Sequence, residues 1–166
     1  MRSRLQSLLV AHGALVFLVG LVAGFPFAFL ILGRVELWPI PGHVDVTMPG
    51  DVRGWRMAHL EGILNGVTLM AVAGVLPRLS LWVRSLRIIT WTLIVTAWGN
   101  QIASVIGPIF GGRGLAFGGG AANSLMFLLF TTAVVTVIVA MALVARGAFR
   151  AAAIERGAAA TPDAEG

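Results

Sequence analysis

The sequence predicts an all-α integral membrane protein, a bundle of four transmembrane helices. Three observations point there. Hydrophobic residues make up 58% of the 166 and charged residues only 11%, with a mean hydropathy of +0.92, far from the balance of soluble domains. Four apolar runs are each long enough to cross a hydrocarbon core, which takes about twenty residues. The segments between and beyond them hold most of the prolines and arginines.

The runs fall near residues 8–32, 55–76, 86–108 and 123–145, so that 1–145 form a single transmembrane domain. The first is too long, and lacks a small-residue cleavage site, to read as a removable signal peptide. Between the second and third lies the short link PRLSLWVRSLR, which predicts an antiparallel hairpin of helices. The remaining two connections, ELWPIPGHVDVTMPGDVRG and GGRGLAFGGG, fall on the opposite side. GGRGLAFGGG has neither the Gly-Lys-Ser/Thr ending of a phosphate loop nor a strand before it. Residues 146–166, ending AAAIERGAAATPDAEG, read as a partly disordered tail.

All twelve basic side chains are arginine. Eight lie at the two termini and in the 77–87 link, and four on the other side, which by the positive-inside rule puts both termini of a multi-pass membrane protein in the cytoplasm. They form no continuous stripe, so nucleic acid is not expected as a partner; the lipid bilayer is. The absence of cysteine excludes disulfides, thiolate metal sites and a cysteine nucleophile.

Polar residues within a span are expensive and point to an interior, a partner or a cavity. The second run opens GWRMAHLEGILNG. At 100° per residue, His59, Gly62, Ile63, Gly66 and Met70 share one stripe, and Glu61, Asn65 and Thr68 another. A histidine above a GxxxG pair suits a planar macrocycle whose iron takes the imidazole as axial ligand. The same glycines equally suit close packing on a neighbouring helix, with His59 bonded across it. Asn65 can hold a substrate oxygen or join two helices, while Glu61 reads as an electrostatic or packing residue near the outer interface. In the third run Thr96, Asn100 and Ser104 follow one another at i, i+4, with Gln101 beside them, predicting a wet or substrate-facing seam or hydroxyls bonded back to their own helix. His12 is expected at a depth roughly 10 Å from His59 at 1.5 Å per residue, against one group bridged by both. His43 lies in the outer loop.

The segment PGHVDVTMPGDVRGWRMAHLEGILNG resembles the styrene oxide isomerase family, as do AHG at 11–13, VLPRL after the second run, WGN at 98–100 and RGLAFG at 113–118. The resemblance runs from about residue 8 to 145. It implies a trimer with haem b bound between protomers, His59 as axial ligand of ferric iron, Gly62 and Gly66 at the cofactor, and Asn65, Asn100 and Ser104 at the substrate. The implied chemistry is isomerisation of a hydrophobic aryl epoxide to an aldehyde by Lewis-acid ring opening and a 1,2-hydride shift. Thr96 and Ser104 stand where the family has aspartate and tyrosine, and this chain has no tyrosine. A wider pocket near Ser104 is therefore expected, suited to a larger or different epoxide or belonging to a related haem protein without this activity. Two other classes compete: a haem-binding electron carrier or sensor, which favours two axial ligands, and a haem-free scaffold or transporter, in which His59, Glu61 and Asn65 only hold helices together.

Overall fold

The computed structural model describes residues 2–159. Four helices dominate: α1 (Arg2–Leu32), α2 (Val52–Val75), α3 (Val83–Phe110) and α4 (Ala121–Ala159). All four are long and apolar enough to cross a membrane, so the chain is a membrane protein. At 1.5 Å per residue, the 31 residues of α1 and the 39 of α4 exceed a core of about 30 Å, and their ends project beyond it.

The long connection carries a small antiparallel ribbon of β1 (Arg34–Glu36) and β2 (His43–Asp45), a structure not anticipated from its proline and glycine content. It leads into α2 through Asp51, whose Oδ1 accepts from the Gly54 N–H at 2.6 Å and caps the helix. Trp55 ties the same entry down by donating from Nε1 to the Pro49 carbonyl at 2.8 Å. At the other end of the bundle a single 3-10 turn, Leu76–Arg78, closes α2 before the link to α3.

Of the tail read as partly disordered, residues 146–159 continue helix α4, and residues 160–166 lie outside the described residues. Alanines 151–153 favour helix, and the continuation docks on the link. The Ser80 N–H donates to the Gly147 carbonyl at 3.3 Å, and the Arg150 guanidinium lies 5.9 Å from the Trp82 ring centroid.

The bundle is not symmetric. Helix α1 lies along α2 and α4 along α3, while α3 also touches α1 and α2. Over its most apolar stretch α3 is 56% buried against 11% for α4, which makes α3 the centre and leaves α4 leaning on it from one side. The core runs through Leu9, Val16, Leu69, Leu76, Ile89 and Leu93. A smaller cluster of Ala23, Trp55 and Ala58 closes the end that carries the β-ribbon, the ribbon end.

Helices α1 and α2 meet through glycine. A Cβ on Gly62 would overlap the Gly20 backbone, and one on Gly66 would fall 2.6 Å from the Phe17 Cβ and 2.7 Å from the Gly13 carbonyl oxygen. This is close backbone approach of the small-xxx-small kind. Replacing Gly62 or Gly20 with leucine should therefore destabilise the bundle by about 1–3 kcal/mol or more, read as a lower midpoint in thermal unfolding of the detergent-solubilised protein. Gly74, where a Cβ meets nothing within 4 Å, is the control: Gly74→Ala should leave the midpoint unchanged or raise it.

Candidate functional site

The imidazole of His59 is held on three sides by α1. Its Nδ1 lies 2.9 Å from the Gly20 carbonyl oxygen. A carbonyl only accepts, so Nδ1 carries the hydrogen, and in the neutral ring Nε2 carries the lone pair. The Phe27 ring stacks on the imidazole at 6.2 Å with 25° between planes, and a Cβ on Gly24 would meet Nδ1 at 2.8 Å. Gly24 thus makes the space, Gly20 sets the tautomer and Phe27 fixes the ring. The outer partner of a metal-bound histidine plays this same part. Among the described residues Nε2 has no hydrogen-bond partner.

The other two histidines are differently placed. Trp98 donates from Nε1 to His12 Nδ1 at 3.0 Å. An indole N–H only donates, so neutral His12 has its hydrogen on Nε2 and no lone pair there to offer a metal. His43 sits in the exposed β2 strand with its Nε2 3.7 Å from Asp45 Oδ1. No three His, Asp or Glu side chains converge as ligands among the described residues.

Of the two readings of Gly62 and Gly66, a cradle for a macrocycle or close packing on a neighbouring helix, the contacts fit the second: α1 fills that space with the Gly20, Gly13 and Phe17 backbone. The pair positions His59 by bringing α1 close; it offers no cradle of its own. The spacing of Gly13, Gly20 and Gly24 in α1 was the signal for this contact in the sequence.

On another side of α2, Asn65 Nδ2 donates both to Glu61 Oε2 at 2.8 Å and to the Glu61 carbonyl at 2.9 Å. Asn100 Nδ2 of α3 reaches Asn65 Oδ1 at 3.4 Å. Glu61, Asn65 and Asn100 therefore form one polar chain between the two helices, which gives Glu61 a role. Both Asn65 amide hydrogens are occupied, whereas Asn100 uses one and keeps one. The spare donor of the seam belongs to Asn100.

The expected polar line of α3 splits. Thr96 faces α4, with its Oγ1 2.8 Å from the Thr136 hydroxyl and 3.2 Å from the Ala133 carbonyl, and is 3% exposed. Each i, i+4 step advances 40° beyond a full turn, so a line that begins against α4 swings to α2 by Asn100. Ser104, also 3% exposed, has no hydrogen-bond partner for its Oγ and lines a cavity of about 530 Å³ at the ribbon end. Gln101, which the sequence left as a bystander, is buried and donates to the Ala58 carbonyl at 3.2 Å, with its Oε1 unpartnered.

The glycine-rich connection at 111–120 is an ordered turn. Six of its glycines have positive φ, a region other residues rarely enter. Asn123 fastens the turn, accepting from the Arg113 and Gly114 N–H groups at 3.0 and 2.9 Å and donating to the Ala116 and Gly118 carbonyls at 2.9 and 2.7 Å.

Residues 5–149 match the profile of the styrene oxide isomerase family. The styrene-oxide isomerase of Pseudomonas fluorescens is 31% identical over 111 residues, an alignment that covers 66% of this chain and 64% of that protein. Four apolar helices, a histidine on α2 with its tautomer set from α1, and a match across nearly all of the described chain lead to one conclusion: the chain belongs to the styrene oxide isomerase family.

Proposed function

We propose that this protein is a membrane isomerase that converts a hydrophobic, aryl-bearing epoxide to an aldehyde, with haem b held by His59. Beside family membership, the observation that carries the reading is the hydrogen bond from His59 Nδ1 to the Gly20 carbonyl, which leaves Nε2 as a fixed, unpartnered donor atom suited to iron. The histidine fits the group. The glycines do not line it, because α1 lies in their place, so the macrocycle belongs on the surface of the α1–α2 pair. There a second copy would have to cover it, in keeping with a trimer that seals haem between protomers.

Bound at Nε2, ferric haem would supply a Lewis acid for the epoxide oxygen, so that ring opening and a 1,2-hydride shift yield the aldehyde with no net electron transferred. The protein's own part is orientation and exclusion of water. Glu61 holds Asn65, Asn65 holds Asn100, and the remaining Asn100 N–H is the donor placed to meet a substrate oxygen as charge gathers on it. His59 and Asn65 are six residues apart on α2 and face different ways; a neighbouring copy that brings its own seam to the imidazole would unite the two. The bilayer supplies the substrate and keeps the site dry, with both termini in the cytoplasm.

The carrier or sensor reading needs a second axial ligand. His12 offers none while Trp98 holds its Nδ1, and His43 is engaged with the exposed ribbon.

Purified wild-type protein should show a Soret band that shifts on addition of an aryl epoxide, with aldehyde accumulating. His59→Ala should lose the band and the activity, and added imidazole should restore part of the band; full haem content in that variant would sink the assignment. Asn100→Ala should keep its haem yet turn over more slowly by on the order of 10²-fold per haem, the usual loss on removing one donor to developing charge. Trp98→Phe should leave the spectrum of the bound haem unchanged, because His12 takes no part in ligation.

A further inference from the structure

A cavity of about 530 Å³ lies at the ribbon end among α2, α3, α4 and the 111–120 turn, within the size range of small-molecule sites. Within one chain it lies apart from the histidine. Met57 lines it, and Met57 and His59 point about 200° apart on α2, His59 being turned to Gly20 and Phe27 of α1.

The lining has three parts. Met57, Met126 and Phe130 make an apolar body, sulfur and aromatic surface that adapts to flat or flexible hydrocarbon. Ser104 contributes a hydroxyl that is 3% exposed and has no partner, a state a buried polar group rarely keeps without something to bond. Arg53 and Arg113 stand at the exposed rim, and neither guanidinium has a hydrogen-bond or ion-pair partner among the described residues. Asp51 is the third charge in the lining, with its Oδ1 engaged in capping α2. Two guanidiniums and one carboxylate leave a net charge of +1, which matches a monoanion better than a phosphate dianion.

We propose that this cavity binds an amphipathic carboxylate, with its apolar body against Met57, Met126 and Phe130 and its carboxylate at Arg53 and Arg113. Carboxylate and guanidinium fit one another in paired, charge-assisted hydrogen bonds, and the Ser104 hydroxyl donates to an oxygen farther along the ligand where one is present. The carboxylate can come from a fatty acid of the bilayer or from a soluble aryl or alkyl acid. The site is independent of the His59 reading.

The test uses the full chain in phosphatidylcholine nanodiscs, titrated calorimetrically with 4-phenylbutyrate and with its neutral amide. The acid should bind about tenfold or more tightly than the amide. Arg53→Gln combined with Arg113→Gln, both exposed, should abolish that preference while weak binding of the apolar body remains. Met126→Trp should fill the cavity and remove binding of both compounds, and His59→Ala should leave the acid's affinity unchanged. Equal binding of acid and amide, no binding of either, or a preference that survives the double arginine variant would overturn the proposal. Loss of acid binding in a folded His59→Ala protein would also overturn it, by moving the ligand to the histidine site. Decanoate displacing a fatty acid that copurifies with the protein would identify the bilayer as the source; binding of 4-phenylbutyrate to protein free of fatty acid would identify a soluble acid.

Discussion

The close approach of α1 to α2 is the contact on which the rest of the structure depends. In lipid there is no hydrophobic drive to bring apolar helices together, so packing and hydrogen bonding have to do it. Gly20 against Gly62, and Gly13 with Phe17 against Gly66, let the two backbones come together where any side chain would hold them apart. The Gly20 carbonyl then lies within reach of His59, and the His59 tautomer follows. Packing and site chemistry therefore share the same few glycines, and a change made for stability alone would disturb the imidazole.

A second constraint is satisfaction of polar groups out of reach of water. Most hydroxyls of α3 and α4 bond back to the preceding turn, as Thr90 does to Leu86 and Thr136 to Thr132. The longer amides instead cross between helices: Gln6 reaches the Ala73 carbonyl, Gln101 the Ala58 carbonyl and Asn100 the side chain of Asn65. Trp98 and His12 join α3 to α1 in the same way. Against that background two buried side-chain atoms among the described residues have no partner, Gln101 Oε1 and Ser104 Oγ, and of the pair Ser104 lines the large cavity.

The place of serine at 104 ties the two readings together. A tyrosine there would bring a long phenol toward the space that is now open, whereas serine leaves a short hydroxyl and a cavity. Ser104 lines the cavity at the ribbon end, apart from the imidazole of the same chain. Under the proposed function, substrate positioning would rest more heavily on the Glu61–Asn65–Asn100 chain, where Asn100 keeps a free donor.

Sequence alone determined the membrane class, the four spans and the residues worth attention, because each follows from local quantities: length of apolar run, arginine placement and the high cost of a histidine, glutamate or asparagine in oil. It also marked GxxxG on α2, since spacing on one helix is a one-dimensional property. Only the tertiary structure decided what faced each stripe. Whether the Gly62 and Gly66 face met a macrocycle or a helix depended on the register of α1, some forty residues away in the chain. Whether Thr96 and Ser104 belonged with Asn100 depended on where α4 crosses α3. The order of the 146–159 segment depended on its docking against Trp82 and Ser80. Those are pairings between distant segments, and a helix's own periodicity names the face that needs a partner without naming the partner.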